Sequence, residues 1–275
     1  MAPHSIDVQK ELLLLKKCEK NTHTGISAKG RFIEFLKIFQ NIPEPQKILD
    51  VGGNFGTARW FKEKFPQAKV TILNNSQKEL SSYSPVICQN AQNFSVKEKY
   101  DLVFAGEIIE HLYNPDGLIA SCMLALKPGG YFVITAPNLA CFYNRIFLLL
   151  GWTPGNYAPS LRYLTGNPLL SNKITSFGTI GDHKSMFTWR GLSELLGRYG
   201  FKIICGYGYS YGQEEKLRAI GNHYYRGPKG KLRLFLNRFL PTKLKEGMMF
   251  VCQSPRKIKR QQVLKGILKN DLWEI

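Results

Sequence analysis

The chain has 275 residues and is 44% apolar and 21% charged, a balance that excludes wholesale disorder. A membrane-spanning helix is excluded as well: the uncharged stretch near the middle, 146–161, is broken by Gly151, Pro154, Gly155 and Pro159, and spanning needs roughly 20 apolar residues in a row. Lys and Arg number 38 against 20 Asp and Glu, a net charge of +18, and 216–275 holds 15 basic and 3 acidic residues, so two thirds of the excess sits there and implies an anionic partner.

In chain order, residues 5–41 have helical periodicity, with Ile33, Leu36 and Phe39 on one side, until Pro43 and Pro45 stop the pattern. The short run Leu12–Leu15 is flanked by Glu11, Lys16 and Lys17 and does not make a signal peptide, which points to a cytoplasmic protein. Lys47–Val51 reads as a strand entering Gly52-Gly-Asn-Phe-Gly56, with a helix from Thr57 to Phe65. Strands follow at Ala68–Leu73, Pro85–Cys88 and Tyr100–Ala105, then a helix at Leu118–Leu126 ended by Lys127-Pro-Gly-Gly130, then a strand at Tyr131–Thr135. This alternation predicts a doubly wound α/β fold with a mostly parallel sheet. Residues 138–182 break the rhythm with Gly, Pro, Asn and aromatics, and read as an insertion covering the sheet's carboxyl edge. Regularity returns with a helix at Thr188–Tyr199 and strands at Phe201–Gly206 and Met248–Cys252. The six cysteines lie 19 to 70 positions apart with no Cys-x-x-Cys pair, which reads as reduced and mostly buried.

Two segments carry chemistry. A glycine-rich turn between a strand and a helix lets backbone approach a ligand closely. Here Asp50 ends the strand while Gly52, Gly53 and Gly56 shape the turn; no Gly-Lys-Ser/Thr follows, which excludes a Walker loop, and the dinucleotide order of glycines is absent. The second segment, Glu107-Ile-Ile-Glu-His111, follows a strand and places Glu107, Glu110 and His111 on one side of a helical turn. Two carboxylates and an imidazole suit a divalent metal; the alternative is one acid beside a ligand plus a helix-capping histidine.

Asp50-Val-Gly-Gly-Asn-Phe-Gly56, Tyr100-Asp-Leu-Val-Phe-Ala-Gly-Glu-Ile-Ile-Glu-His-Leu112 and Leu126-Lys-Pro-Gly-Gly-Tyr-Phe-Val-Ile134 together resemble class I S-adenosylmethionine-dependent methyltransferases over residues 30–253. The resemblance implies a seven-stranded Rossmann-like sheet with N-terminal helices and an inserted lid. It implies S-adenosylmethionine as cofactor, held by Asp50, Gly52, Gly53, Asn54, Gly56 and Glu107. The family's middle glycine is Asn54 here, a residue that tolerates a left-handed backbone. The acids usual at the ribose and adenine are Asn74 and Asn90; a carboxylate bonds hydroxyls more strongly, so Asn74→Asp is expected to tighten cofactor binding.

The Glu-x-x-Glu-His segment resembles ubiquinone-pathway O-methyltransferases and small-RNA 2′-O-methyltransferases, in which such residues ligate Mg or another divalent metal. His183 in Gly181-Asp-His-Lys184 is the counterpart of the RNA enzymes' later histidine. The implied metal set is therefore Glu107, Glu110, His111 and His183, with His111 or His183 as the alternative catalytic base. Thr135-Ala-Pro-Asn138, Asn144-Arg145 and Asp182-His183 resemble a subgroup acting in cell-surface glycan and glycolipid biosynthesis.

The expected organisation is an N-terminal helical cap over 1–45, a methyltransferase domain over 46–253 with the insertion 138–182 and a basic helix 214–245, and a basic tail over 254–275. Lys231–Leu240 interleaves cations with Leu232, Phe235, Leu236, Phe239 and Leu240. As a helix it lies on an anionic membrane or packs its apolar side on the sheet. Arg256-Lys-Ile-Lys-Arg260 reads as an anion-binding tail. The expected activity is O-methylation of a glycan, glycolipid or other membrane-associated hydroxyl, with peripheral contact to an anionic membrane. The alternatives are a metal-dependent RNA 2′-O-methyltransferase and a catalytically silent binding protein.

Overall fold

In the computed structural model, residues 42–75, 84–160, 162–169, 182–210, 235–236, 239–259, 261 and 263 are described. The helical reading of 5–41, and with it nearly all of the 1–45 cap, lies outside them, as does most of the basic helix 214–245 and of the tail 254–275.

The elements are β1 (Lys47–Val51), α1 (Phe55–Lys64), β2 (Lys69–Asn74), β3 (Val86–Cys88), β4 (Tyr100–Gly106), α2 (Pro115–Ala125), β5 (Leu126–Pro137), α3 (Phe142–Leu149), α4 (Trp189–Arg198), β6 (Lys202–Tyr209) and β7 (Gly247–Gln253). Short 3₁₀ turns stand at Ile109–His111 and Thr242–Leu244. The seven strands form one sheet in the order β3-β2-β1-β4-β5-β7-β6. All neighbours pair parallel except β7, which runs antiparallel between β5 and β6. This is the expected Rossmann-like sheet. Its chain winds outward from β1 to β3 and then jumps back to β4, which makes the carboxyl ends of β1 and β4 the switch point where ligands bind in such sheets.

Strand alternation builds a core on each face. Leu49, Val51, Val103, Ala105 and Ile134 point toward Leu118, Met123 and Leu192 of α2 and α4. Ile48, Ile72, Leu102, Phe104 and Val133 point to the opposite face, where Trp60, Phe61 and Phe65 of the α1 side pack. Burial on both faces is why the central strands are almost unbroken apolar runs.

Three local expectations change. The helix expected at Leu118–Leu126 begins earlier, because Pro115 takes its first position and the Asn114 side chain accepts the Gly117 N–H at 2.8 Å. Lys127–Gly130 do not merely end that helix but are already strand. They form a bulge in β5, whose pairing with β4 slips between Tyr100 and Leu102. Phe235 and Phe239 are exposed and pack edge-on against each other with ring centroids 5.2 Å apart, which removes them from a face buried on the sheet. Among the described residues no helix is long and apolar enough to cross a membrane.

Candidate active site at the carboxyl edge of the sheet

The glycine turn follows β1 directly. Gly52 has φ +71, and a Cβ there would lie 2.3 Å from the Ile108 Cδ1 atom. A Cβ on Gly53 would lie 2.3 Å from the Asp50 carboxylate. Both glycines are therefore favoured by the chain's own packing. Asp50 is buried, and its Oδ2 accepts the Thr57 hydroxyl at 2.5 Å. Burial pushes this carboxyl up to about 7, against the opposing effect of the Thr57 bond.

Asn54 does not adopt the left-handed backbone its place in the motif predicts. Its φ of −124° is extended, and it caps α1. The side-chain oxygen accepts the N–H groups of Gly56 at 2.8 Å and Thr57 at 3.1 Å, while Thr57 Oγ1 accepts the Asn54 N–H. This reciprocal capping box starts the helix at Phe55 rather than Thr57. Gly56 thus serves the cap through its N–H.

Asn74, at the end of β2, donates its amide to the Gly53 carbonyl at 2.9 Å. A carboxylate cannot make that bond and would face a carbonyl oxygen, so the expectation that aspartate improves this position reverses. Asn90 lies just past β3 and is exposed. Its side chain accepts the Gln92 N–H at 2.9 Å, and the Gln92 side chain in turn accepts the Asn114 N–H at 2.6 Å. The loop beyond β3 is thereby fastened to the start of α2.

Glu107, Glu110 and His111 do not share one helical turn. Glu107 has φ +50, the one non-glycine residue with positive φ among the described residues. The backbone turns there, with the Glu107 N–H bonded to Thr135 Oγ1 at 3.0 Å. Its carboxylate accepts the Tyr209 hydroxyl at 2.5 Å. Tyr209 reaches it across Gly247, where a Cβ would lie 2.1 Å from the tyrosine ring. Glu107 therefore stands apart from Glu110 and His111, and the four-residue metal set loses that member.

The remaining three come together. One donor atom each from Glu110, His111 and His183 lie within 4.8 Å of one another, and the two imidazoles pack edge-on with centroids 5.0 Å apart. Residue 183 is brought here because Lys184 and Ser185 donate their backbone N–H groups to the Glu110 carbonyl, and Ser185 Oγ donates to the Leu112 carbonyl. Each imidazole is held by a backbone carbonyl at Nδ1, His111 by Asp182 at 3.2 Å and His183 by Asn156 at 2.7 Å. A carbonyl only accepts, so Nδ1 carries a proton in each ring, and the lone pair of the neutral form is on Nε2. Burial, ahead of the charge of His111, lowers the pKa of His183 and favours its neutral form. An imidazole whose Nδ1–H is anchored in this way is also the usual form of a metal-ligating histidine. The donor set thus fits a divalent metal as well as a base.

The sequence assigns no role to Thr57, Asn156 or Tyr209, and presents Thr135 and Asp182 only as members of motifs. The spacing Asn54-x-x-Thr57 is a legible capping signal, whereas Tyr209 lies 102 positions from Glu107 and has no local one. Gly52 and Asn54 are exposed at the switch point beside the half-buried Asn74, Gly106 and Glu107, which offers backbone and polar side chains of the kind a nucleoside cofactor needs.

A model of the methyltransferase-domain family matches residues 27–205. Trans-aconitate 2-methyltransferase of Acidovorax sp. (strain JS42) is 29% identical over 103 residues, which are 35% of this chain and 40% of that protein. The chain thus spans about two fifths of that relative's length. Ubiquinone biosynthesis O-methyltransferase of Rickettsia typhi is 25% identical over 170 residues, covering 52% of this chain and 69% of that one. An S-adenosylmethionine-dependent methyltransferase from Mesorhizobium loti shares the fold with a TM-score of 0.52 at 17% identity, over 80% of this chain and 97% of that chain. Phosphoethanolamine N-methyltransferase 2 of Haemonchus contortus, solved with S-adenosyl-L-methionine, gives 0.51 at 16% identity, over 89% and 56%.

Proposed function

The chain belongs to the methyltransferase-domain family, and from that premise we propose that it methylates a hydroxyl oxygen of a membrane-associated glycan or glycolipid, with S-adenosylmethionine as donor. The cofactor supplies a methyl group already activated on a sulfonium. The turn Gly52–Asn54 would hold it with Asn74 and Glu107, and Asp50 would fix the turn from behind. Position and a base are what remains for the protein to provide.

The observation that carries this reading is His183. Burial lowers its pKa and so favours the neutral form, and its Nδ1–H is fixed on the Asn156 carbonyl, so Nε2 is the atom available to take a proton. A hydroxyl needs such a base; an unprotonated amine or a carboxylate is already nucleophilic without one. His111, 5.0 Å away between ring centroids, is the second candidate base.

A second reading rests on the same cluster. Glu110, His111 and His183 would hold a divalent metal that polarises an acceptor oxygen, and the acceptor would be a ribose 2′-hydroxyl of RNA gripped by the basic C-terminal region. Incubating the protein with methyl-labelled S-adenosylmethionine and lipid, glycan or RNA extracts, with and without chelator, decides between them. Label in lipid or glycan supports the first reading, and chelator-sensitive label in RNA alone transfers the assignment to the second. No label together with no calorimetric cofactor binding makes the protein a silent scaffold.

A further inference from the structure

Helix α3 is built inside out. Its polar Asn144 is buried, donating to the Leu139 carbonyl and the Asn156 side chain and accepting the Gly155 N–H at 2.8 Å. Its leucines face water: Leu148 is 56% exposed, Leu149 86% and the following Leu150 54%, with Ile146 beside them. Scattered exposed leucines are ordinary, but a contiguous apolar tip on a folded helix marks a surface that something covers. The tip is held in place. Gly151 closes the helix with φ +71, its N–H bonds to the Leu148 carbonyl, and Trp152 bonds back to the Phe147 carbonyl at 2.7 Å.

Charge says what kind of surface covers it. No carboxylate occurs between Asp116 and Asp182, and Arg145 and Arg162 are exposed in that span. The root of the insertion is tied to a second acid-free segment, because Asn138 donates its amide to the carbonyls of Lys243 and Lys245 at 2.9 and 3.0 Å. That segment is led in by Phe239, and no acid occurs from Lys216 to Lys245. An apolar tip carried on an acid-free, cation-bearing stretch of chain and rooted against a second such stretch matches a bilayer with anionic headgroups.

We infer that the tip Ile146–Leu150 is a membrane-docking surface, inserting its leucines among the acyl chains of an anionic bilayer while neighbouring cations meet the headgroups. The insertion starts at the carboxyl end of β5, so docking sets the candidate active site against the lipid surface. The inference extends the proposed function by stating where the acceptor is met.

The test is co-sedimentation of the full chain with vesicles of phosphatidylcholine, or of phosphatidylcholine and phosphatidylglycerol in equal parts, at low and high salt. Wild-type protein is expected to bind the mixed vesicles and to keep part of that binding at high salt. The combined Leu148→Ser, Leu149→Ser and Leu150→Ser variant is expected to lose the salt-resistant part by about tenfold or more. Leu149→Trp, a single change at an exposed site, should shift its added emission to shorter wavelength when mixed vesicles are introduced. Equal high-salt binding by the serine variant, or an unmoved Leu149→Trp emission in bound protein, overturns the inference. So does a dimer in light scattering that the serine changes abolish without any vesicle binding, since a second copy would then cover the tip. The assay reads no turnover, so docking fails or stands independently of methyl transfer.

Discussion

The Tyr209 hydroxyl donates a 2.5 Å hydrogen bond to the Glu107 carboxylate, joining the last residue of β6 to the residue that follows β4. The bond crosses β7 and β5, and it steadies a residue whose backbone sits at φ +50, a conformation that stores about 1–3 kcal/mol outside glycine. Tyr209→Phe removes a hydrogen bond to a charged group, worth about 1.5–3 kcal/mol. We expect urea unfolding to show that loss and cofactor affinity to fall with it. Unchanged affinity in a destabilised variant would place Glu107 outside the cofactor's reach.

Gly52→Ala is expected to destabilise the fold whether or not a ligand binds. The left-handed backbone costs about 1–2 kcal/mol for a residue with a side chain. The new Cβ would also strike the Ile108 side chain, which must shift. Loss of cofactor binding in this variant is therefore uninformative alone. Asn54→Ala, which removes the α1 cap, should cost about 1 kcal/mol, and Asn54→Gly only a few tenths. Equal costs for the two in thermal unfolding would remove the cap from the account of this turn.

Asn74→Asp should weaken the site. The amide of Asn74 fastens the Gly53 carbonyl at 2.9 Å, and aspartate would put a negative oxygen against it. Calorimetry of cofactor binding is expected to show lower affinity in the variant. Tighter binding would mean that the charged acceptor outweighs the lost latch.

Asp50 makes stability depend on pH. Its carboxyl titrates near 3.8 when unfolded and at about 7 when folded, so across that window the unfolded chain releases the proton that the folded chain keeps. The protonated form is the one the fold favours; this contribution is whole below 3.8 and is lost as pH rises toward 7. Asp50→Asn cannot ionise. Its stability relative to wild type should rise with pH through that window, by up to about 1.4 kcal/mol per unit. A pH-independent difference in urea unfolding would refute it.

Chelation separates the two roles open to the histidine pair. If Glu110, His111 and His183 hold a metal, a chelator stops turnover without unfolding the protein, because the described core is held by apolar packing. Turnover that persists in excess chelator, in protein free of metal by elemental analysis, leaves His183 or His111 as the base. His183→Ala should abolish activity in either case.

Local patterns in the chain determined much of this protein. Apolar runs flanked by turn residues marked β1, β4 and β7, and the Gly52–Gly56 turn after β1 marked the switch point, because strand periodicity and glycine turns are encoded by neighbouring residues. The family motifs likewise point to the seven-stranded sheet. Residues 107–111 show where that legibility stops. Helical spacing puts three side chains together, yet the left-handed turn at Glu107 sends its carboxylate to Tyr209, 102 positions away, and the bonds from Lys184 and Ser185 to the Glu110 carbonyl deliver His183 as the neighbour of His111. The reversal of Asn74 from acceptor to donor, and the outward leucines of α3 around a buried Asn144, have the same origin. Which partner a polar side chain meets, and which face of a short helix is covered, depends on segments distant in sequence, and only tertiary packing brings those segments together.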